Sequence, residues 1–185
     1  MIRKLCATLL LVLVLLPASA LAQEATLSIK TVTNTRDDLL LFLSVKGAFT
    51  EEMETAIESG VPATFTFFVS LNRVRSLWMD QSVTDLELTH KIRFDTLKKE
   101  YLVTRSWDGA EQRVVKSLAE AKHLMTEIDS LRIAPLNRLE KGYRYQIRAK
   151  AELGKITLPF YLHYVLFFVS LWDFETDWHT VDFIY

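Results

Sequence analysis

The sequence predicts an α+β fold that is mainly an antiparallel β-sheet or sandwich of about seven strands, with two or three helices packed on it. Two observations lead to this fold class. Apolar and polar residues alternate along most of the chain, which is the period of half-buried strands. In addition, the strand-like segments follow one another in runs instead of alternating strictly with helices, which favours antiparallel pairing over a parallel sheet.

The first 22 residues have the three parts of a cleavable secretory signal peptide. Arg3 and Lys4 form a short positive region, residues 5–16 are nearly all apolar, and small residues follow Pro17 up to Ala22. The apolar core is shorter than the ~20 residues that a membrane span needs, so an uncleaved anchor is the weaker alternative. We therefore expect export by a Sec-type signal peptide and a periplasmic or cell-envelope location.

The remaining residues, 23–185, are predicted to form a single β-rich envelope domain, because no linker-like stretch and no internal repeat divides them. The chain has 22 basic and 23 acidic residues, and the leader holds two of the basic ones, so 20 against 23 remain and the net charge is −3. This charge argues against nucleic-acid binding. Cys6 is the one cysteine and lies in the leader, so the domain must be stabilised by its core instead of by disulfides.

Strands are predicted where alternation or β-branched and aromatic residues dominate. The segments are residues 25–33, 39–46, 64–71, 82–94, 99–107, 143–152 and 177–184. The clearest alternation is in the segment 143–152, where we expect Tyr143, Tyr145 and Ile147 on the buried face and Arg148 on the solvated face.

Two helices are predicted from capping signals and helical spacing. Thr50 can accept hydrogen bonds from the free amides of the first helix, whose first turn is acidic. The second helix is expected to begin after Ser117, since the spacing to Glu120 fits a capping box, and to continue to about Asp129. Irregular chain is expected around Pro135.

The apolar segment from Leu158 to Trp172 is a candidate for a third helix, and it has no polar face when it is drawn as one. Such a helix is buried in a protein core or in a membrane. Three interpretations remain open for it: a buried central element, an exposed patch that docks on a membrane or a partner, and a membrane span. We predict that its centre is buried, and that Tyr161, Tyr164 and Trp172 form a docking patch, since amphipathic aromatic residues favour interfaces.

Several short features together resemble a known family. They are Glu58-Ser59-Gly60-Val61-Pro62 before an aromatic strand, Trp78-Met79-Asp80, Tyr143-Arg144-Tyr145 with Arg148, Leu158-Pro159, and a tail with Trp172 and Trp178. In this order they resemble the bacterial exported proteins catalogued as domain of unknown function 4390. The resemblance implies an exported envelope domain with no assigned activity, and an association with membrane sensor-kinase systems.

No catalytic motif and no cofactor-binding loop is recognisable, so we expect no enzyme activity and no cofactor. Asp173, Glu175, Asp177 and His179 are spaced so that an extended chain would carry all four on one face. Carboxylates with a histidine can hold a divalent cation. The alternative is a solvated strand face beside a buried aromatic one, and we predict no metal site.

Two groups of basic residues can each be interpreted as a binding surface or as a solvated strand face. Arg144, Arg148 and Lys150 form a basic line on one predicted strand. Arg73 and Arg75 form a second, smaller cluster at the start of a predicted loop that carries Trp78. Either group can bind an acidic partner or lipid headgroups, or can simply be the solvated face of a strand.

These features favour a non-enzymatic protein-interaction module of the cell envelope, with an inner-membrane protein as its expected partner and contact with the membrane surface as a further expectation. Two alternatives stay open. The first is a carrier of a small apolar ligand or lipid, sheltered by a sheet wrapped on an apolar helix. The second is an unrecognised metal-dependent hydrolase that uses the run from Asp173 to His179.

Overall fold

The computed structural model describes residues 25–154 and 175–185, and it confirms a sheet-rich α+β fold. The strands in these residues are β1 (Thr26–Asn34), β2 (Asp38–Lys46), β3 (Ala63–Arg73), β4 (Gln81–Asp95), β5 (Glu100–Arg105), β6 (Gln112–Val115), β7 (Glu127–Pro135), β8 (Arg144–Leu153) and β9 (His179–Ile184). The helices are α1 (Glu51–Glu58) and α2 (Leu118–Thr126), and a short 3-10 helix covers Leu136–Arg138.

The strands form two antiparallel sheets. The small sheet has the order β1-β2-β7 and the large sheet has the order β6-β5-β4-β3-β8-β9. One cluster of buried apolar side chains joins the sheets: Leu41 and Leu43 of β2 belong to it together with Phe65 and Phe67 of β3, and all four are fully buried. Burial of each such side chain contributes about 1.5–3 kcal/mol, so this cluster stabilises the packing of the two sheets against each other.

The inner face of the large sheet follows the alternation of the sequence. Tyr145 and Ile147 of β8 are buried, as predicted, and lie opposite Arg73 and Leu71 of β3 in the ladder. Tyr143 was predicted to be buried with them and is 44% exposed, because β8 begins only at Arg144. Its ring lies instead beneath the guanidinium of Arg73, with 3.5 Å between the guanidinium carbon and the ring centroid.

Helix α1 agrees with its sequence signals. The Thr50 hydroxyl accepts a hydrogen bond from the Met53 amide over 3.3 Å, as expected of an N-terminal cap. Met53, Ala56 and Ile57 are buried and make the helix's apolar stripe. The chain then turns at Gly60, whose φ of 93° suits glycine.

The prediction for residues 118–135 was partly wrong. Helix α2 ends at Thr126, and the chain passes without a loop into β7, although helix to about Asp129 and irregular chain at Pro135 were expected. The buried residues Ile128 and Leu131 pair with β2, so the apolar residues of this stretch are used by the small sheet. Ser130 adopts a φ of 60° at a register irregularity, which interrupts simple alternation and conceals the strand.

Strand β6 is a further strand that the sequence did not predict. It covers four residues, of which Val115 alone is buried, and it forms the edge of the large sheet next to β5. The predicted strand 99–107 ends at Arg105, so Trp107 lies in the turn between β5 and β6. A short edge strand of this kind carries too little alternation to be recognised.

Two predicted segments lie outside the described residues: the signal peptide 1–22 and the apolar segment 158–172. The residues that flank positions 155–174 are close in space, because Glu152 and Glu175 form an antiparallel bridge. The Thr176 amide also donates to the Ala151 carbonyl over 2.9 Å. None of the helices in the described part of the chain is long and apolar enough to cross a membrane.

The two faces of β8 can be tested by substitution. We expect Ile147→Asp to lower the free energy of unfolding by about 3–5 kcal/mol, because an unpaired charge would enter the core. Arg148→Ala should cost about 0.5–1 kcal/mol, since its guanidinium mainly contacts the half-exposed Trp178 ring, 4.8 Å away. Denaturant unfolding of both variants measures the difference, and equal losses would show that the faces are assigned wrongly.

Candidate functional site

The predicted docking patch of Tyr161, Tyr164 and Trp172 lies outside the described residues. The described part of the chain offers a different candidate, the β3–β4 loop. Leu77, Trp78 and Met79 at its apex are 95%, 78% and 84% exposed. They are consecutive, whereas the other large exposed apolar residues of the described chain are dispersed, so we call them the apolar tip.

The base of the loop is held by polar contacts. The Val74 amide donates to the Arg144 carbonyl over 2.9 Å, which continues the sheet by one bond beyond β3. The Asp80 carboxylate accepts a hydrogen bond from the Arg75 amide over 3.1 Å, and the Arg75 guanidinium donates to the Gln81 side chain. These contacts close the two ends of the loop on each other and leave the apolar tip outside.

Basic side chains surround the base of the loop. Residues 73–80 and 136–143 lie at this end of the sandwich, and together they contain four basic and two acidic residues. Arg73 forms an ion pair with Glu140 over 2.7 Å, whereas Arg138 and Lys141 are exposed and have no acidic partner within the described residues. The cluster predicted from Arg73 and Arg75 therefore lies beside further basic residues of the segment 136–143.

The basic line on β8 is largely neutralised by neighbouring acidic groups. Arg144 pairs with Asp182 over 2.7 Å, and the hydrogen bonds from Arg144 and Gln146 hold the pKa of that carboxyl below its usual value. Lys150 pairs with Glu175 and with Glu152. Arg144 and Lys150 therefore form surface ion pairs, which fits the interpretation of the basic line as the solvated face of a strand.

The acidic run near the end of the chain does not keep all its members on one face. The Glu175 carboxylate reaches Lys150 on the outer face of the large sheet. His179 lies opposite Ala149 in the ladder, and Ala149 is buried on the inner face. Asp173 is outside the described residues, and within the described ones no group of three or more His, Cys, Asp or Glu side chains is arranged to hold a metal ion.

His90 is the one fully buried histidine of the described chain, and both of its ring nitrogens are engaged. Nδ1 donates to the Met125 carbonyl over 2.9 Å, and Nε2 accepts from the Trp107 indole N–H over 2.8 Å. Burial lowers the pKa of His90 to about 4, and the nearby Arg105 charge acts in the same direction against the opposing Met125 hydrogen bond. A neutral ring with no free nitrogen links β4 to α2, which is a structural role.

A cleft of about 550 Å³ opens between the sheets beside Trp107. Leu86 and Leu88 of β4 line it from the large sheet. From the small sheet it is lined by Asp38, Leu40, Ser130, Leu131 and Arg132. Five apolar and three polar side chains line it, a mixture that small-molecule sites also show.

The sequence placed Trp78 in a loop but did not identify the apolar tip as a site. The available signal was the run of three large apolar residues between Arg75 and Asp80, which has neither strand nor helix periodicity. The docking patch was predicted instead in the longer apolar segment, Leu158 to Trp172. Loop residues give no periodic pattern from which exposure can be inferred, so the three-dimensional structure was needed to identify the tip.

Comparison with known proteins gives one family match. The family described as a domain of unknown function (DUF4390) matches residues 22–182. Neither a curated protein nor a solved structure shows significant similarity to the chain.

The burial of His90 predicts how the stability of the fold depends on pH. Because the pKa of His90 is about 4 in the folded chain and 6.5 when unperturbed, the unfolded chain binds more protons between these values. Stability should therefore fall as the pH drops from 6.5 towards 4, by about 3 kcal/mol from this residue. Denaturant unfolding across this pH range should give a steeper loss for the native chain than for His90→Leu. The same slope in both proteins would contradict the assignment.

Proposed function

This chain belongs to the family described as a domain of unknown function (DUF4390), and we propose that it is a non-enzymatic interaction module of the cell envelope that docks through its apolar tip. The observation that carries the proposal is the exposure of Leu77, Trp78 and Met79 on a loop with a fixed base. Single exposed apolar residues are common on proteins, but a contiguous group marks an interaction surface.

The envelope location rests on the leader pattern of residues 1–22. A domain that is exported with its apolar tip uncovered meets two kinds of envelope surface, an inner-membrane protein and the membrane itself, and both are partners that the sequence predicts. Trp is prominent in the centres of protein interfaces and also at membrane–water interfaces, so the residue types of the tip suit either partner.

The proposal that the domain is not an enzyme has support of its own. Arg144 and Lys150 on the outer face of β8 are paired with acidic side chains, and His90 has both nitrogens engaged. Each of these groups makes a structural contact that accounts for it without a catalytic role. The hydrolase alternative is weakened by Glu175 and His179 lying on opposite faces of the large sheet.

The test is site-specific photo-crosslinking in cells that produce the full chain. A photoreactive residue at position 78 should give a reproducible adduct, with either a protein or a lipid, because this position is predicted to lie in the interface. The matched control is position 97, since Leu97 is 93% exposed in the β4–β5 turn at the opposite end of β4. Adducts of equal yield at both positions, or none at position 78, would contradict docking through the tip.

A carrier of a small apolar ligand is the second candidate, and the cleft between the sheets favours it. If this function is correct, organic extraction of the protein purified from its host should release one apolar compound in near-stoichiometric amount. Leu40→Glu should reduce that amount, because it places a carboxylate in the wall of the cleft. Leu77→Ser is the control that should leave it unchanged. Extracts without such a compound would remove this candidate.

A further inference from the structure

We propose that the apolar tip inserts into the interfacial region of a lipid bilayer with anionic headgroups. This inference rests on the proposed docking function and names the partner. It uses two neighbouring surfaces, the exposed apolar side chains of residues 77–79 and the basic residues at the base of the loop.

The shape of the tip favours a bilayer over a folded protein. Leu77, Trp78 and Met79 project beyond a loop base that Arg75 and Asp80 close, so the apolar surface is convex. A convex tip needs a complementary pocket in a protein partner, whereas the fluid interface of a bilayer accommodates protruding side chains without one. Trp is also the residue type that is enriched at the level of the headgroups, and Leu and Met are suited to the acyl region below it.

The charge distribution supplies the second argument. The chain has a formal net charge of −1, but residues 73–80 and 136–143 carry four basic and two acidic side chains, which leaves −3 on the rest of the molecule. The two segments beside the apolar tip therefore carry more basic than acidic side chains. Arg138 and Lys141 are exposed and without an acidic partner in the described chain, so they are free to meet phosphate groups.

The basic residues lie behind the apolar tip, where they would face the lipid headgroups once the tip is inserted. Arg75 is at the base of the loop, two residues before Leu77, and the neighbouring Tyr143 is half-exposed beneath Arg73. When the tip enters the interface, basic groups at its base come to the level of the headgroups. Apolar insertion combined with electrostatic attraction is how peripheral domains achieve stable but reversible membrane binding.

The experiment is vesicle flotation of the full-length protein purified from its host. Vesicles of phosphatidylethanolamine and phosphatidylglycerol should bind the protein, and vesicles of phosphatidylcholine alone should bind it more weakly. The triple substitution Leu77→Ser, Trp78→Ser and Met79→Ser should reduce the partition coefficient by about tenfold or more. Leu97→Ser, at an equally exposed position on the opposite end of β4, should leave it unchanged.

Substitutions of basic residues measure the electrostatic contribution to vesicle binding separately from the insertion of the tip. Arg138→Gln with Lys141→Gln should weaken binding to the anionic vesicles several-fold, and so should about 0.5 M salt. Lys98→Gln with Lys99→Gln, in the β4–β5 turn, is the matched control that should have little effect. The melting temperatures of all variants should stay close to that of the native chain, because the substituted side chains lie outside the core.

Each outcome decides between the two proposals. Equal flotation of the native chain and the triple variant would overturn the insertion of the tip. No flotation, together with a protein adduct at position 78, would overturn the lipid inference and leave the docking function standing. The absence of both flotation and crosslinking would overturn the two proposals together.

Discussion

The structure depends on the burial of one face of β3 between β4 and β8. Phe65, Phe67 and Leu71 on that face are fully buried, and they meet the apolar face of the small sheet in one cluster. A slip of one residue along either ladder would turn these side chains to solvent, so the register is fixed by the core. The β3–β4 ladder continues to the pair of Arg73 and Gln81, and the base of the exposed loop is thereby positioned by the same burial.

Elements that depend on local signals were predicted from the sequence, and those that depend on distant partners were not. The alternation of β3 and β8 and the Thr50 cap of α1 were sufficient to identify those elements. Strand β7 was missed because it follows α2 without a loop and is stabilised by pairing with β2, far away in the chain. The loop that carries the candidate site was predicted. The exposure of its apex was not, because it depends on which other elements pack against the loop.

The two ends of the sandwich differ in chemistry and in connectivity. One end carries the apolar tip and the basic residues at the base of its loop. At the other end, the Gly154 amide donates to Thr64 near the start of β3, while the tip follows the end of that strand, ~30 Å away. Ala25 lies there too, close to Asp177 and His179. A domain held at a membrane by its tip would therefore direct the flanks of both undescribed segments away from the bilayer.

The bridge between Glu152 and Glu175 has a consequence for how this fold tolerates change. The flanks of positions 155–174 meet at one rung of the large sheet, so the pairing of β8 with β9 is held at that rung on both sides. Positions 155–174 therefore lie between two flanks that the sheet itself holds together, and a change of length there would leave the pairing of β8 with β9 in place.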